Sequence, residues 1–234
     1  MQALVEGKKD AAAMAELAKG SLRGKIPLLR KALEGQFAGH HRIMVAQLLA
    51  HVDYLEQTIE ELNREIDLRM EPYRAQRELL ETIPGFGKRS AEVVIAEIGV
   101  DMNQFPTAGN LASWAGVCPG NHRSAGKRKP EKVRRGNRWL KPALVEATWA
   151  AVRENDSYLA AQYHRMVPHK GKKKANIAVC HSALIAAHHI LREGVPYHDL
   201  GADFFIKRNQ AAIERRCVKQ LKKLGWEVDL RKTG

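Results

Sequence analysis

At 234 residues, with 44% hydrophobic and 28% charged side chains, the chain is long enough for a full hydrophobic core and too apolar for disorder. Aromatics at 6% favour a helical build over an aromatic-rich β sandwich, and 39 Lys and Arg against 26 Asp and Glu leave +13, the balance of a protein with a polyanionic partner. No run approaches the roughly 18 consecutive apolar residues of a membrane span, and residues 1–9 lack the apolar stretch of a secretion signal, so a cytoplasmic chain with no membrane partner is expected. Cys118, Cys180 and Cys217 are odd in number and far apart, which excludes a CxxC pair and points to reduced thiols.

Residues 8–22 (KKDAAAMAELAKGSL) read as a short Ala-rich helix ended by Gly20, and residues 27–34 (PLLRKALE) as a second. Residues 43–63 carry no Lys or Arg, while Asp53, Glu56, Glu60 and Glu61 make the stretch acidic and unsuited to phosphate. Val45, Leu48, Val52, Leu55, Ile59, Leu62 and Ile66 alternate spacings of three and four, which predicts a long helix with a heptad seam. The seam is closed either within the chain, by the helix at 27–34, or by a second copy. Pro72 kinks or restarts the helix, because its ring removes a backbone hydrogen bond.

Residues 79–99 (LLETIPGFGKRSAEVVIAEIG) have the pattern of a helix-hairpin-helix. Gly85 and Gly87 permit a tight turn that brings backbone N–H groups near a phosphate, and Lys88 and Arg89 add charge without base specificity. The plainer alternative is a glycine turn between packed helices. Residues 108–115 read as a helix with Leu111 and Trp114 on its buried side.

From 117 to 140 the sequence VCPGNHRSAGKRKPEKVRRGNRWL sets Arg123, Lys127, Arg128, Lys129, Lys132, Arg134, Arg135 and Arg138 against the single acid Glu131. Gly120, Gly126, Pro130 and Gly136 prevent a regular helix, so the cations sit on a loop or short hairpin able to follow a phosphate backbone; a solvated loop is the alternative. Ser124 lies among His122, Arg123, Lys127 and Arg128, where cations would stabilise the charge that builds on phosphorus when a hydroxyl attacks it. On residue chemistry alone it reads equally as a turn residue. Ser90 and Ser113 have fewer cations around them. An apolar helix at 142–152 anchors the loop.

His181, His188 and His189 match no common zinc spacing and read as core or interface residues, with no metal site in the chain. His164, Arg165, His169, Lys170, Lys172, Lys173 and Lys174 read as a second phosphate-contacting loop or a solvated linker. Residues 196–205 form a capped turn packing their aromatics. The tail from 215 opens as a basic helix, and the alternation at 226–230 suggests one short strand.

The run IPGFGKRSAEVVIAEIGVDMNQFPTAGNLASWAGVCPGNHRSAGKRK, followed by GNRWLKPALVEATWAA, YLAAQYHRM and PYHDLGADFF, closely resembles the C-terminal domain of the transposases of insertion-sequence family one-hundred-ten, relatives of the Piv-type invertases. The resemblance covers residues 79 to about 206, and the preceding segment resembles the linker and coiled coil of the same proteins. It implies DNA as partner, a guide (bridge) RNA, a homo-oligomer through the coiled coil, and Ser124 as the nucleophile of DNA transposition. It also implies an N-terminal RuvC-like domain whose four acids hold magnesium. That domain is expected to be missing here, so no cofactor is assigned to this chain and magnesium is expected only with the missing domain. The expected fold is all-α, with a coiled-coil arm at 1–78 and a helical transposase domain at 79–234. The alternative is a non-catalytic DNA- or RNA-binding truncated transposase that regulates the full-length enzyme.

Overall fold

The computed structural model describes residues 5–6, 10–34, 39–118 and 135–230, and the backbone of 123–124 and 127–128. The fold is all-α; the β pairing among the described residues is a ladder of two residues per strand. The chain divides into two compact units, Met1–Glu71 and Pro72–Gly234. None of its described helices is long and apolar enough to cross a membrane.

In the first unit, α1 (Ala11–Glu16) is capped by Asp10, whose carboxylate accepts from the Ala12 N–H at 2.9 Å. It ends before Gly20, which instead opens a 3-10 segment, Gly20–Lys25, at a φ of +56° that favours glycine. α2 (Ile26–Leu33) starts with Pro27 in its first turn and packs on α1, to which Arg30 is tied by a 2.7 Å ion pair with Glu16. α3 (Gly39–Met70) has 32 residues, about 48 Å, and buries none of them. Its seam is uncovered: Leu48 is 63% and Ile59 55% exposed. Closure by the 27–34 helix, one of the two alternatives, is not formed; that helix packs on α1 instead. Pro72 falls in the 3-10 turn Glu71–Tyr73, where the α-helix stops and restarts.

The second unit is a helical layer around one Ala-rich helix. α4 (Arg74–Glu81) and α5 (Lys88–Ile98) flank the glycine turn; α6 (Ala108–Trp114) follows, capped by Thr107. β1 (Arg123–Ser124) and β2 (Lys127–Arg128) pair antiparallel. Next come α7 (Leu140–Ala151), α8 (Tyr158–Lys170) and α9 (Lys172–Glu193). α9 packs on α4, α6, α7 and α8, and its buried Ala175, Ala183 and Ala187 let those neighbours approach closely.

Side-chain bonds between helices fix their sense. Asn176 donates to the Val145 carbonyl at 3.3 Å and Thr148 Oγ1 meets Cys180 Sγ at 3.2 Å, so α7 and α9 run the same way. Gln162 donates to the Ala178 carbonyl, and Gly171, at φ +75°, turns α8 into α9 in one residue. The second basic cluster is therefore not a loop: it occupies the end of α8 and the start of α9.

Two further expectations are corrected. Trp114 is 43% exposed, its ring tilted against Phe105 with a 5.6 Å centroid distance, while Leu111 and Ala112 take the core positions. Residues 226–230 form no strand, since a lone strand leaves its backbone without a ladder partner; the basic helix before them, α11 (Gln210–Lys223), follows the short α10 (Phe204–Arg208).

Candidate nucleic-acid interface

Gly85 and Gly87 do different work. Gly85 adopts φ +79° and backs onto α7, where a Cβ would run into the backbone of Ala147 and Ala151. Gly87 has extended backbone, nothing within 4 Å of where its Cβ would lie, and caps α5 with no side-chain hydrogen bond to the first turn. Phe86 spends its N–H on the Ile83 carbonyl at 2.9 Å. The opening turn of α5 adds the N–H groups of a helix start, which can face an anion. Beside them Arg89 is paired with Glu92 at 2.5 Å, and that carboxylate is buried with its other oxygen unpartnered.

The basic loop leaves and returns at one place. A Cβ on Gly136 would strike the Ala115 carbonyl, so the two stems of the loop touch. Asn137 locks the return: its amide donates to Glu97, and its carbonyl accepts from the Trp139 and Leu140 N–H groups, each at 2.8 Å, capping α7. Leu140 and Leu144 then sink into the core, as the apolar run at 142–152 predicts. Arg138 lies over the ring of Trp139 at 4.8 Å, and that indole is 62% exposed. Sequence reasoning missed Asn137, although an Asn three residues before an apolar helical run is a cap signature.

Within the loop, the ladder sets Ser124 opposite Lys127 and Arg123 opposite Arg128. Lys129, Lys132 and Arg134 lie outside the described residues, as do Gly120, His122 and Gly126. Arg135 and Arg138 are exposed at the stem.

The loop stem meets the hairpin's second helix at Glu97, near the far end of α5, and not at its opening turn. Gly85 meets the last turn of α7, whereas Asn137 precedes its first, so Lys88 and Arg89 lie a helix length, about 18 Å, from the stem.

The histidines have structural places. His188 is buried and bonds the Phe105 carbonyl at 3.0 Å; His189 is paired with Glu193; burial lowers the His181 pKa. Among the described residues no group of three His, Cys, Asp or Glu is placed to hold a metal ion. Asp199, for which the sequence suggests no role, accepts from the N–H groups of Tyr158 (2.9 Å) and Gly201 (2.6 Å), so it caps α8 and the 196–205 turn at once. Tyr158 stacks on Phe205 and meets Phe204 edge-on, the aromatic packing expected of that turn. Burial, then Asp199, pushes the Tyr197 phenol up, and a hydrogen bond from Lys207 lowers Asp203.

Residues 77–164, which span this hairpin, loop and α7, match the family described as Transposase IS116/IS110/IS902. The chain is 26% identical over 156 residues to the insertion element IS110 uncharacterized 43.6 kDa protein of Streptomyces coelicolor, covering 66% of this chain and 38% of that one. It is 32% identical over 130 residues to the pilin gene-inverting protein of Moraxella lacunata (53% and 39%) and 32% over 124 residues to that of Moraxella bovis (51% and 38%). The chain spans about two-fifths of the length of these relatives. The segment that holds the hairpin, the basic stretch and the helix after it is thus the part of the chain that is similar to transposases of the IS116/IS110/IS902 family.

Proposed function

We propose that this chain binds DNA through the basic loop and the first turn of α5, and that Ser124 is the nucleophile of a strand-exchange reaction. Its hydroxyl oxygen attacks a DNA phosphorus, a phosphoserine ester forms, and the deoxyribose oxygen on the other side leaves with a proton. Attack by the hydroxyl of a new strand reverses the step and releases the serine, so the phosphodiester energy is conserved. The observation that carries the reading is the ladder register, which places Ser124 opposite Lys127 in a stretch whose stems are clamped on the core. Relatives described as pilin gene-inverting proteins support DNA inversion or transposition as the reaction class.

The magnesium that the family resemblance implies belongs to an acidic RuvC-like domain. The described residues assemble no such donor set, so no step here runs through a metal. A guide RNA is part of the same reading. So is a second copy of the chain on the α3 seam: Val45, Val52, Ile59 and Ile66 are β-branched at one heptad position, and Leu48, Leu55 and Leu62 fill the other, the arrangement of a parallel two-stranded coil.

The test uses the chain supplied with a RuvC-like domain and guide RNA on a nicked suicide substrate. Wild type traps a protein–DNA adduct; Ser124→Ala keeps DNA binding and loses the adduct, because only the attacking oxygen is removed. An undiminished adduct from Ser124→Ala rejects the nucleophile and leaves a DNA-binding module without catalysis of its own.

A further inference from the structure

We propose that the elbow between α8 and α9 is a second phosphate contact, in which His169, Lys170, Lys172, Lys173 and Lys174 grip the backbone of the duplex DNA held by the basic loop. The inference rests on the DNA-binding reading above and extends it to residues beyond the span that matches the transposase family, which ends at 164.

Charge is the first observation. Residues 157–192 contain no Asp or Glu, so α8 and α9 carry no acid of their own to neutralise the cluster before the final residue of α9. All five side chains are exposed, as is Arg165, whose guanidinium instead covers the ring of Phe205 at 4.4 Å. None of the four lysines is engaged in an ion pair among the described residues. The hairpin differs on this point, since Arg89 there is already matched by Glu92. Clustered exposed lysines without counterions repel one another, and a polyanion relieves that repulsion.

Position is the second. Because α7 and α9 run in the same sense, the start of α9 lies beside the start of α7, and the start of α7 is where the basic loop returns through Arg135 and Arg138. α6 supports the same placement. Phe105, just before it, is bonded to His188 near the far end of α9, and Ala115, just after it, touches Gly136 at the loop stem. Elbow and stem therefore share one end of the unit. Packed helices lie about 8–10 Å apart, a length over which duplex DNA presents about five phosphates. A duplex seated on the loop thus runs past the elbow.

The experiment measures the affinity of the full chain for a duplex of about 30 base pairs across a salt series, with Lys170, Lys172, Lys173 and Lys174 changed together to Gln. Each lysine contact adds about 0.9 to the slope of log affinity against log salt. The expected result is a slope shallower by about 3.6 and at least a tenfold loss of affinity at about 0.1 M salt. The double change Lys173→Gln/Lys174→Gln loses about half of that slope, and the four Lys→Arg changes preserve it. An unchanged slope in the fourfold Gln variant, with steep salt dependence in wild type, overturns the elbow contact while leaving the loop reading intact. Salt-insensitive binding by wild type overturns both. A slope change on duplex RNA of the same length but not on DNA also overturns the assignment, because it moves the elbow to a different strand.

Discussion

Gly85 holds a left-handed backbone so placed that a Cβ would strike the carbonyl of Ala147, so the hairpin turn and the last turn of α7 share one tight contact. A methyl group there meets backbone on one side and an unfavourable φ on the other. Gly85→Ala is expected to cost on the order of 3 kcal/mol, read as a lowered denaturation midpoint. Gly87→Ala has open space and an extended φ, and changes stability by well under about 1 kcal/mol. Equal losses from the two would refute the division of labour between these glycines.

Much of this architecture is legible in the chain before folding is considered. The heptad alternation at 45–66 yields α3, the composition of residues 79–99 yields two helices about a glycine turn, and Leu140, Leu144 and Ala147 give the anchor of the loop. These signals are local: a period, a turn residue, a cap. What the sequence hides is which neighbours the turns meet. Gly85 and Gly87 look alike in the string Pro-Gly-Phe-Gly, and only the packing of α7 separates them. The lysines at 170–174 look like a loop, because a single glycine joining two helices leaves no composition signal beyond itself. Trp114 and residues 226–230 fail for a related reason: an exposed ring and a strand without a partner depend on surfaces that periodicity does not describe.

Cys180 offers a test of the α7–α9 contact. Burial pushes its thiol up from 9.0 to about 11, against the opposing effect of the Thr148 hydroxyl. Below pH 9 the thiol is protonated in both folded and unfolded chains, and pH has no leverage through it. Between about 9 and 11 the unfolded chain releases the proton and the folded chain retains it, so stability falls as pH rises, by about 2 kcal/mol across that window. Urea midpoints measured from pH 8 to 11 should show the decline in wild type and a shallower one in Cys180→Ala, where Thr148 still donates to the Leu144 carbonyl at 2.8 Å. In native protein an alkylating reagent should label the exposed Cys217 and spare the buried Cys180. Prompt labelling of both would show that the contact opens readily.

The proposed pairing of two copies on the α3 seam predicts a stoichiometry and a direction. Seven apolar side chains on a helix that buries none of its residues are stable in water only if something covers them, and β-branched residues alternating with leucine favour two parallel strands. Sedimentation should give a dimer for wild type. Leu55→Asp or Ile59→Asp sets a carboxylate in the apolar layer, costs several kcal/mol, and should give monomers whose Pro72–Gly234 unit keeps its helical signal. Direction is read separately. With Cys118, Cys180 and Cys217 replaced, Leu48→Cys faces its own copy in a parallel pair and should form an intermolecular disulfide on mild oxidation. In an antiparallel pair centred on the seam it faces the region of Leu62 and should not. A wild-type monomer would return the seam to contacts within one chain, and a dimer that resists the Leu48→Cys crosslink would reverse the direction of the coil.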